Sequence, residues 1–309
     1  MPRKQRIEYI GAIYHVISRG NYRKDLFTVA GSGEAFEKAL FEVCERCNWK
    51  LHAYVIMSNH YHLALETPEG NLVAGMKWLQ GAFATRFNRF TGERGHVFQG
   101  RYKSLLIEPD QPLLGLVNYI HLNPVRAKIV TLDNLKAYAL SSFPKYFKKH
   151  VPGIYDRGFC LGLIDLPDSA AGMRRYHKYL ELQDEQDPKR KEELYRKYCR
   201  GWIVASKEYK KERQKEISND YPDVEWEGVG MSDLKAAKWE SLLKKELKSL
   251  GKNQKDIESS PKGMEWKIKI AIALRTVGAS NPWIAKALNM GHPSRVSNLL
   301  SNEMFKFNV

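Results

Sequence analysis

Over residues 51–66, LHAYVIMSNHYHLALE, an apolar run and then an alternation from His60 to Leu63 are divided by Ser58-Asn59. They read as two strands joined by a tight connection, after a first strand over Tyr14–Ser18. Between that first strand and the pair the period changes. Phe36, Ala39, Leu40, Val43, Cys44 and Cys47 recur at i, i+3, i+4, i+7, i+8 and i+11, the buried stripe of a helix over Glu34–Cys47 with Ser32 as its N-cap. From Leu72 onward, Met76, Leu79, Phe83 and Phe87 keep helical spacing, with Arg86 and Arg89 off the stripe. Thr91–Gly100 reads as a glycine-rich loop and Arg101–Glu108 as a strand carrying Arg101 and Lys103 on one face. Pro109-Asp110 breaks it, and Gln111–Leu122 returns to helix on Leu113, Leu116, Val117 and Ile120. Strands and helices follow as β, α, ββ, α, β, α, which predicts an α+β fold with helices packed on an antiparallel-rich sheet.

Beyond residue 150 the pattern becomes more charged, and a division into residues 1–150, 151–230 and 231–309 is expected. Residues 170–217 read as helices with a solvated, mixed-sign surface, interrupted by Arg200–Ser206. Residues 218–231 are turn-rich and read as a linker. Glu265–Val277 is an apolar-striped helix. Asn281-Pro282 opens a short one, Trp283–Leu288, and Asn289-Met290-Gly291 turns into a second, Pro293–Leu300. Helix, glycine-containing turn and helix is a helix-turn-helix pattern, with Arg295, Ser297 and Asn298 facing outward. A plain helical hairpin has the same pattern.

Charge tips that balance. The 309 residues carry a formal net charge of +15, with a sequence pI near 9.5. Such an excess suits a polyanion, and nucleic acid is the expected partner. No apolar run approaches the roughly 18 residues of a membrane span, so no membrane partner and a cytoplasmic, nucleoid-associated location are expected. Cys44 and Cys47 have the spacing of a zinc or redox pair, but both fall on the helical stripe and no second such pair exists. They read as core residues.

The candidate chemistry centres on His60-Tyr61-His62. In a strand the two imidazoles share one face, while Tyr61, Leu63 and Leu65 share the other. Such a pair is half a metal site, or two polar residues on a solvated face; imidazole suits several divalent ions, so spacing alone chooses none. MSNHYHLALE followed by YIHLNPVRAKIV resembles the single-tyrosine HUH transposases, in particular the REP-associated tyrosine transposases. Three further stretches agree in order over about residues 6–145: Tyr14–Asn21, Phe98–Ser104 and Pro124–Ala127.

The resemblance implies a ferredoxin-like catalytic domain with the tyrosine helix lying across the sheet beside the HxH strand. It implies Tyr119 as nucleophile, since a phenol suits a reversible covalent step. It further implies Mg²⁺ or Mn²⁺ on His60, His62 and Asn123, the last standing where the family often has glutamine. Single-stranded DNA, a REP-like hairpin, is the implied substrate, cleaved to a 5′-phosphotyrosine link and a free 3′-hydroxyl. Arg19, Arg23, Arg101, Lys103 and Arg126 would follow the phosphates, and Tyr22 and Tyr102 would stack on bases. The oligomeric state is left open between monomer and homodimer, since the relatives implied include dimers that exchange the tyrosine helix. His15 and His121 are assigned no chemistry. The competing expectation is a non-catalytic DNA-binding regulator that uses the C-terminal helices.

Overall fold

The structure, a computed structural model, describes residues 6–148, 153–184, 188–220 and 232–306. They group into two compact units, one built on residues 6–210 and the other on the C-terminal helices.

In the first unit, β1 (Ala12–Arg19) leads to α1 (Ser32–Arg46), the hairpin β2 (Lys50–Ile56) and β3 (His60–Thr67), α2 (Leu72–Thr91), and β4 (Lys103–Ile107). Their sheet order is β2-β3-β1-β4, every neighbouring pair antiparallel. That order and connectivity are the split β-α-β arrangement of a ferredoxin-like fold. Both predicted periods are realised, because alternation sends Tyr14, Val16, Tyr61 and Leu63 to one face, where all are buried. There Tyr61 packs against Phe36 at 4.5 Å between ring centroids, and Phe27, Phe83 and Phe98 complete an aromatic layer under α1 and α2. Ser32 is not the cap. It lies inside α1 after the left-handed Gly31, and its hydroxyl donates back to the Leu26 carbonyl at 2.8 Å rather than accepting from the helix.

The opposite face carries α3 (Gln111–His121) and the one-turn α4 (Asn123–Arg126), then α5 (Ser142–Lys145) and α6 (Arg157–Gly162). Next come α7 (Ala170–Asp184), α8 (Pro188–Tyr198) and β5 (Ile203–Val204), and then α9 (Lys207–Asp220), of which all but the first four residues group with the second unit. The core continues across the boundary expected near residue 150. Met173, Tyr176 and Leu180 of α7 and Tyr195 and Tyr198 of α8 belong to one buried cluster with Leu113, Val117 and Tyr119. Each such burial contributes about 1.5–3 kcal/mol, so α7 and α8 are not merely a solvated surface. Their charges sit on outer faces, as in the Arg196–Glu192 pair at 3.2 Å, and hide a stripe at i, i+3, i+7. The stretch Arg200–Ser206 becomes the sheet's fifth strand, β5 pairing parallel with β4.

The second unit holds α10 (Ser232–Ser249), α11 (Gln254–Ser259), α12 (Glu265–Thr276), α13 (Asn281–Ala287) and α14 (Pro293–Lys306). Ile270, Leu274, Ile284, Leu288, Val296 and Leu300 form its core. Ser280 caps α13 by accepting from the Trp283 amide, and Asn289 and Gly291 take positive φ in the turn before α14. The expected linker, apart from the last turn of α9, and the boundary at residues 230 and 231 lie outside the described residues. Among the described residues no helix is long and apolar enough to cross a membrane.

Candidate functional site

β3 is paired on both sides, with His62 opposite Val55 of β2 and Ile17 of β1, and His60 opposite Arg19. The alternation therefore puts His60 and His62 on the face that carries α3, their rings 5.1 Å apart. His62 is buried, and burial holds its pKa well below the ordinary value; burial and then Arg19 push His60 down to about 4. Both imidazoles are neutral at physiological pH, as metal ligands must be.

Hydrogen bonds fix which nitrogen of each ring carries its proton. The Tyr198 carbonyl can only accept, so His15 donates to it from Nδ1, 2.8 Å away. A neutral His15 then has a bare Nε2, which accepts from Nδ1 of His62 at 2.9 Å. That leaves the His62 lone pair on Nε2. His60 reaches the same tautomer by a shorter route, donating from Nδ1 to the Asn59 side-chain oxygen at 2.8 Å. Both rings thus offer Nε2 as ligand, with the other nitrogen oriented by a second group. His15, to which the sequence assigned no chemistry, orients the site. His121 is structural, bonded to the hydroxyls of Tyr176 and Ser142.

Tyr119 arrives from α3 with its ring edge-on to His62 at 5.4 Å and to His15 at 5.9 Å. Leu113, Leu116, Val117 and Ile120 anchor the helix beneath it. Tyr119 is only 4% exposed, because Tyr195, Tyr198 and Cys199 cover it. Its hydroxyl lies 3.3 Å from the Cys199 sulfur. Burial, followed by Cys199, pushes the phenol pKa above the ordinary value, while Arg126 opposes the shift. Tyr198 fits against α3 only because residue 115 is glycine. A Cβ there would lie 2.1 Å from the Tyr198 hydroxyl, which instead donates to the Pro112 carbonyl.

Asn123 opens α4 one turn after Tyr119 and is buried, with no partner for its Nδ2. That Nδ2 is a donor and fits an oxygen acceptor such as a phosphate; an ion would have to be met by the amide oxygen instead. Arg126 is exposed, its guanidinium 5.0 Å from the Tyr119 ring centre and 4.2 Å from that of Tyr195. Arg19 is also exposed, beside His60. Arg23 is exposed in a loop whose backbone accepts from Asn59, and Tyr22 within it is 92% exposed, both residues at positive φ.

Lys103 departs from expectation. Its ammonium donates to the Cys199 carbonyl, so it holds the cover over Tyr119. Tyr102 departs further: it is buried beneath the Arg6 guanidinium, 3.8 Å from the ring centre, and cannot stack on a base as it stands. Arg101 is exposed just before β4. Arg295, Ser297 and Asn298 are exposed on α14 of the second unit. The sequence held no local signal for Tyr195, Tyr198 or Cys199, the last of them 80 residues beyond Tyr119. For His15 the signal was its own alternation on β1.

Burial holds both His15 and His121 near 3. Above about pH 6.5 each is neutral whether folded or unfolded. Below it the unfolded chain takes up protons that the folded chain refuses, so stability falls as pH drops towards 3. Each histidine adds a slope approaching about 1.4 kcal/mol per pH unit. Melting temperature should therefore be flat from pH 8 to 7 and fall steadily from 6 to 4.5. A flat acid limb would contradict two buried neutral imidazoles.

The chain is similar to several known proteins. Residues 9–123 match the family described as IS200-like transposases. A protein of Haemophilus influenzae, provisionally named a REP-associated tyrosine transposase, is 26% identical over 127 residues, 38% of this chain and 71% of the relative. Among solved structures, a REP-associated tyrosine transposase bound to a REP hairpin aligns over 50% of this chain and 90% of its own, at 18% identity and a TM-score of 0.41. A provisionally named transposase of Deinococcus radiodurans aligns over 41% of this chain and 92% of its own, at 21% identity and a TM-score of 0.28. The resemblance read from the residues thus holds over the N-terminal stretch that carries His60, His62 and Tyr119.

Proposed function

We propose that this chain, a transposase relative over residues 9–123, is a metal-dependent DNA strand transferase acting on single-stranded DNA beside a REP-like hairpin. One juxtaposition carries the reading: two imidazoles locked to present Nε2, with a tyrosine ring 5.4 Å from one of them. His60 and His62 would hold Mg²⁺ or Mn²⁺, with Asn123 as third ligand. Two neutral imidazoles and an amide leave the ion's full positive charge facing an anionic substrate. When bound, such an ion supplies Lewis-acid polarisation of the scissile phosphate.

The remaining chemistry belongs to the chain. Tyr119 Oη attacks phosphorus, forming the Oη–P bond as the P–O3′ bond breaks. The phenol gives up its proton and the departing 3′ oxygen gains one. The 5′ end stays on the enzyme as a phosphotyrosine. An incoming 3′-hydroxyl reverses these steps and expels the phenolate, which joins the strands. Arg19, paired with His60 across the sheet, and Arg126, over the Tyr119 ring, are exposed and would neutralise non-bridging oxygens. Arg23 and Arg101 would follow the backbone, and the exposed ring of Tyr22 would stack on an unpaired base.

The test is a 5′-labelled single-stranded hairpin incubated with the chain and Mg²⁺, Mn²⁺ or EDTA. Nicking that leaves a free 3′-hydroxyl and needs the ion is expected. Cleavage that persists in EDTA defeats the metal assignment. Tight duplex binding without cleavage in any ion would favour the regulator reading, against which the intact histidine pair and Tyr119 argue.

The exposed Arg295, Ser297 and Asn298 on α14 support a DNA-binding role for the C-terminal helices. Ending the chain at Met231, outside the described residues, should leave metal-dependent nicking of short single strands. Binding to longer, duplex-containing DNA should weaken and lose part of its salt slope. Unchanged duplex affinity and slope in the shortened chain would count against a DNA-binding tail.

A further inference from the structure

β2 carries one residue more than its partner strand requires. Leu51 faces Leu65 and Ala53 faces Ala64, so His52 is the extra residue of a β-bulge. The bulge turns the His52 side chain inward, where it is 1% exposed. Backbone bonds from Leu51 to Ile154 and from Asp156 back to Leu51 tie residues 154–156 alongside. Asp156 is thereby held at the bulge, and Glu66 reaches it from β3. The ligand atoms of His52, Glu66 and Asp156 all lie within 4.8 Å of one another.

The polarity of this cluster does not balance. His52 Nδ1 lies 3.4 Å from the Asp156 carbonyl, which can only accept, so the ring proton belongs on Nδ1. Nε2 is then an acceptor, buried and without a hydrogen-bond partner, 3.9 Å from a Glu66 carboxylate oxygen. Burial, the largest influence on this imidazole, favours its neutral form. Acceptors thus converge where a positive charge is called for. Lys50 supplies some of it, 3.5 Å from the other Glu66 oxygen, but it is half exposed and lies on the solvent side.

We propose that His52, Glu66 and Asp156 form a second cation site, for Zn²⁺ or a like transition-metal dication, that clamps residues 154–157 to the bulged strand. One imidazole nitrogen and two carboxylate oxygens are a zinc-type donor set, with water free to fill the fourth position. Tetrahedral ligands at about 2.1 Å stand roughly 3.4 Å apart, so the cluster needs a contraction of about an ångström, which the partly exposed Glu66 side chain can supply. Glu66 is four residues beyond His62 on the same face of β3, about 13 Å along the strand. The site is therefore separate from the histidine pair. It would fasten the start of α6, whose first amides Asp156 already caps through the Phe159 N–H at 3.1 Å.

The experiment uses the full chain carrying His60→Ala and His62→Ala, so that the first site cannot report. Zinc content after desalting, zinc affinity against a chromophoric chelator and melting temperature with and without Zn²⁺ are measured. One zinc per chain and a higher melting temperature are expected. Adding Glu66→Gln or Asp156→Asn should weaken zinc at least tenfold and remove the thermal gain; both leave His52 buried, and asparagine still caps α6. Failure of the parent variant to retain zinc would overturn the proposal. So would zinc binding undiminished by both further substitutions, which would mark adventitious binding at other histidines.

Discussion

Tyr119→Phe should leave the fold and the affinity for a single-stranded hairpin nearly unchanged and bring cleavage to nothing. The substitution removes one oxygen, whose hydrogen-bond neighbour is the Cys199 sulfur at 3.3 Å, and keeps the ring that packs against His15, His62, Tyr195 and Tyr198. Loss of one weak, half-buried hydrogen bond costs at most about 1 kcal/mol. Loss of the only atom proposed to attack phosphorus leaves no covalent route, so the reaction should vanish rather than slow. The unmodified chain should form a denaturation-resistant adduct with DNA and the variant none. Tyr61→Phe is the control, because Tyr61 lies on the opposite sheet face among Phe36, Phe27 and Phe98. It loses the hydroxyl's bonds with Gln80 and Ser18, away from the histidine pair. An adduct that survives Tyr119→Phe, located by mass spectrometry on another tyrosine, would move the nucleophile and leave the histidine pair intact.

Second in size is the histidine pair. His60→Ala or His62→Ala should abolish nicking while hairpin binding, which rests on arginines elsewhere, stays within a few-fold. Asn123→Ala should act in the same direction. His15→Leu separates orientation from ligation. Leucine fills the buried space between β1 and α3 but cannot accept from His62 Nδ1, so His62 is no longer held to the tautomer that frees Nε2. Second groups of this kind typically contribute 10–100-fold in metal affinity. Nicking by His15→Leu should therefore be weak at low Mn²⁺ and recover when the ion is raised, whereas His62→Ala should not recover. An ion requirement unchanged by His15→Leu would refute the orienting role.

The elements and the shared face of the histidines followed from local periodicity, whereas the roles of Tyr119 and Asn123 came from the resemblance. His60 and His62 share a face because strands alternate, and Tyr119 borders a stripe because helices repeat every 3.6 residues. Neither inference needs a distant partner. The His15 contact is of another kind: it joins residues 47 apart in the chain, and nothing near His15 announces which strand will lie beside it. The cover over Tyr119 comes from α8, whose apolar positions are diluted by lysines and glutamates. The bulge at His52 cannot be read from β2 at all, since an extra residue is defined only against the partner strand. Tyr102 looked available because aromatics beside basic residues suit nucleic acid, yet its ring is spent under Arg6 in the core.

The notch at Gly115 gives the enclosure of Tyr119 a particular meaning. The strip Tyr195–Cys199 rests there through the Tyr198 hydroxyl and is tied by His15 at the Tyr198 carbonyl, while two cations hold its ends: Arg126 over the Tyr195 ring and Lys103 on the Cys199 carbonyl. The Tyr195 ring is 7% exposed, and a cation over it holds with about 0.5–2 kcal/mol, against about 1.5–3 kcal/mol for a hydrogen bond to a charged group. Under the proposed function, a DNA backbone entering the site would compete for the two cations at the ends of the strip. Its arrival would then loosen the cover over Tyr119 at the moment a phosphate lies beside it.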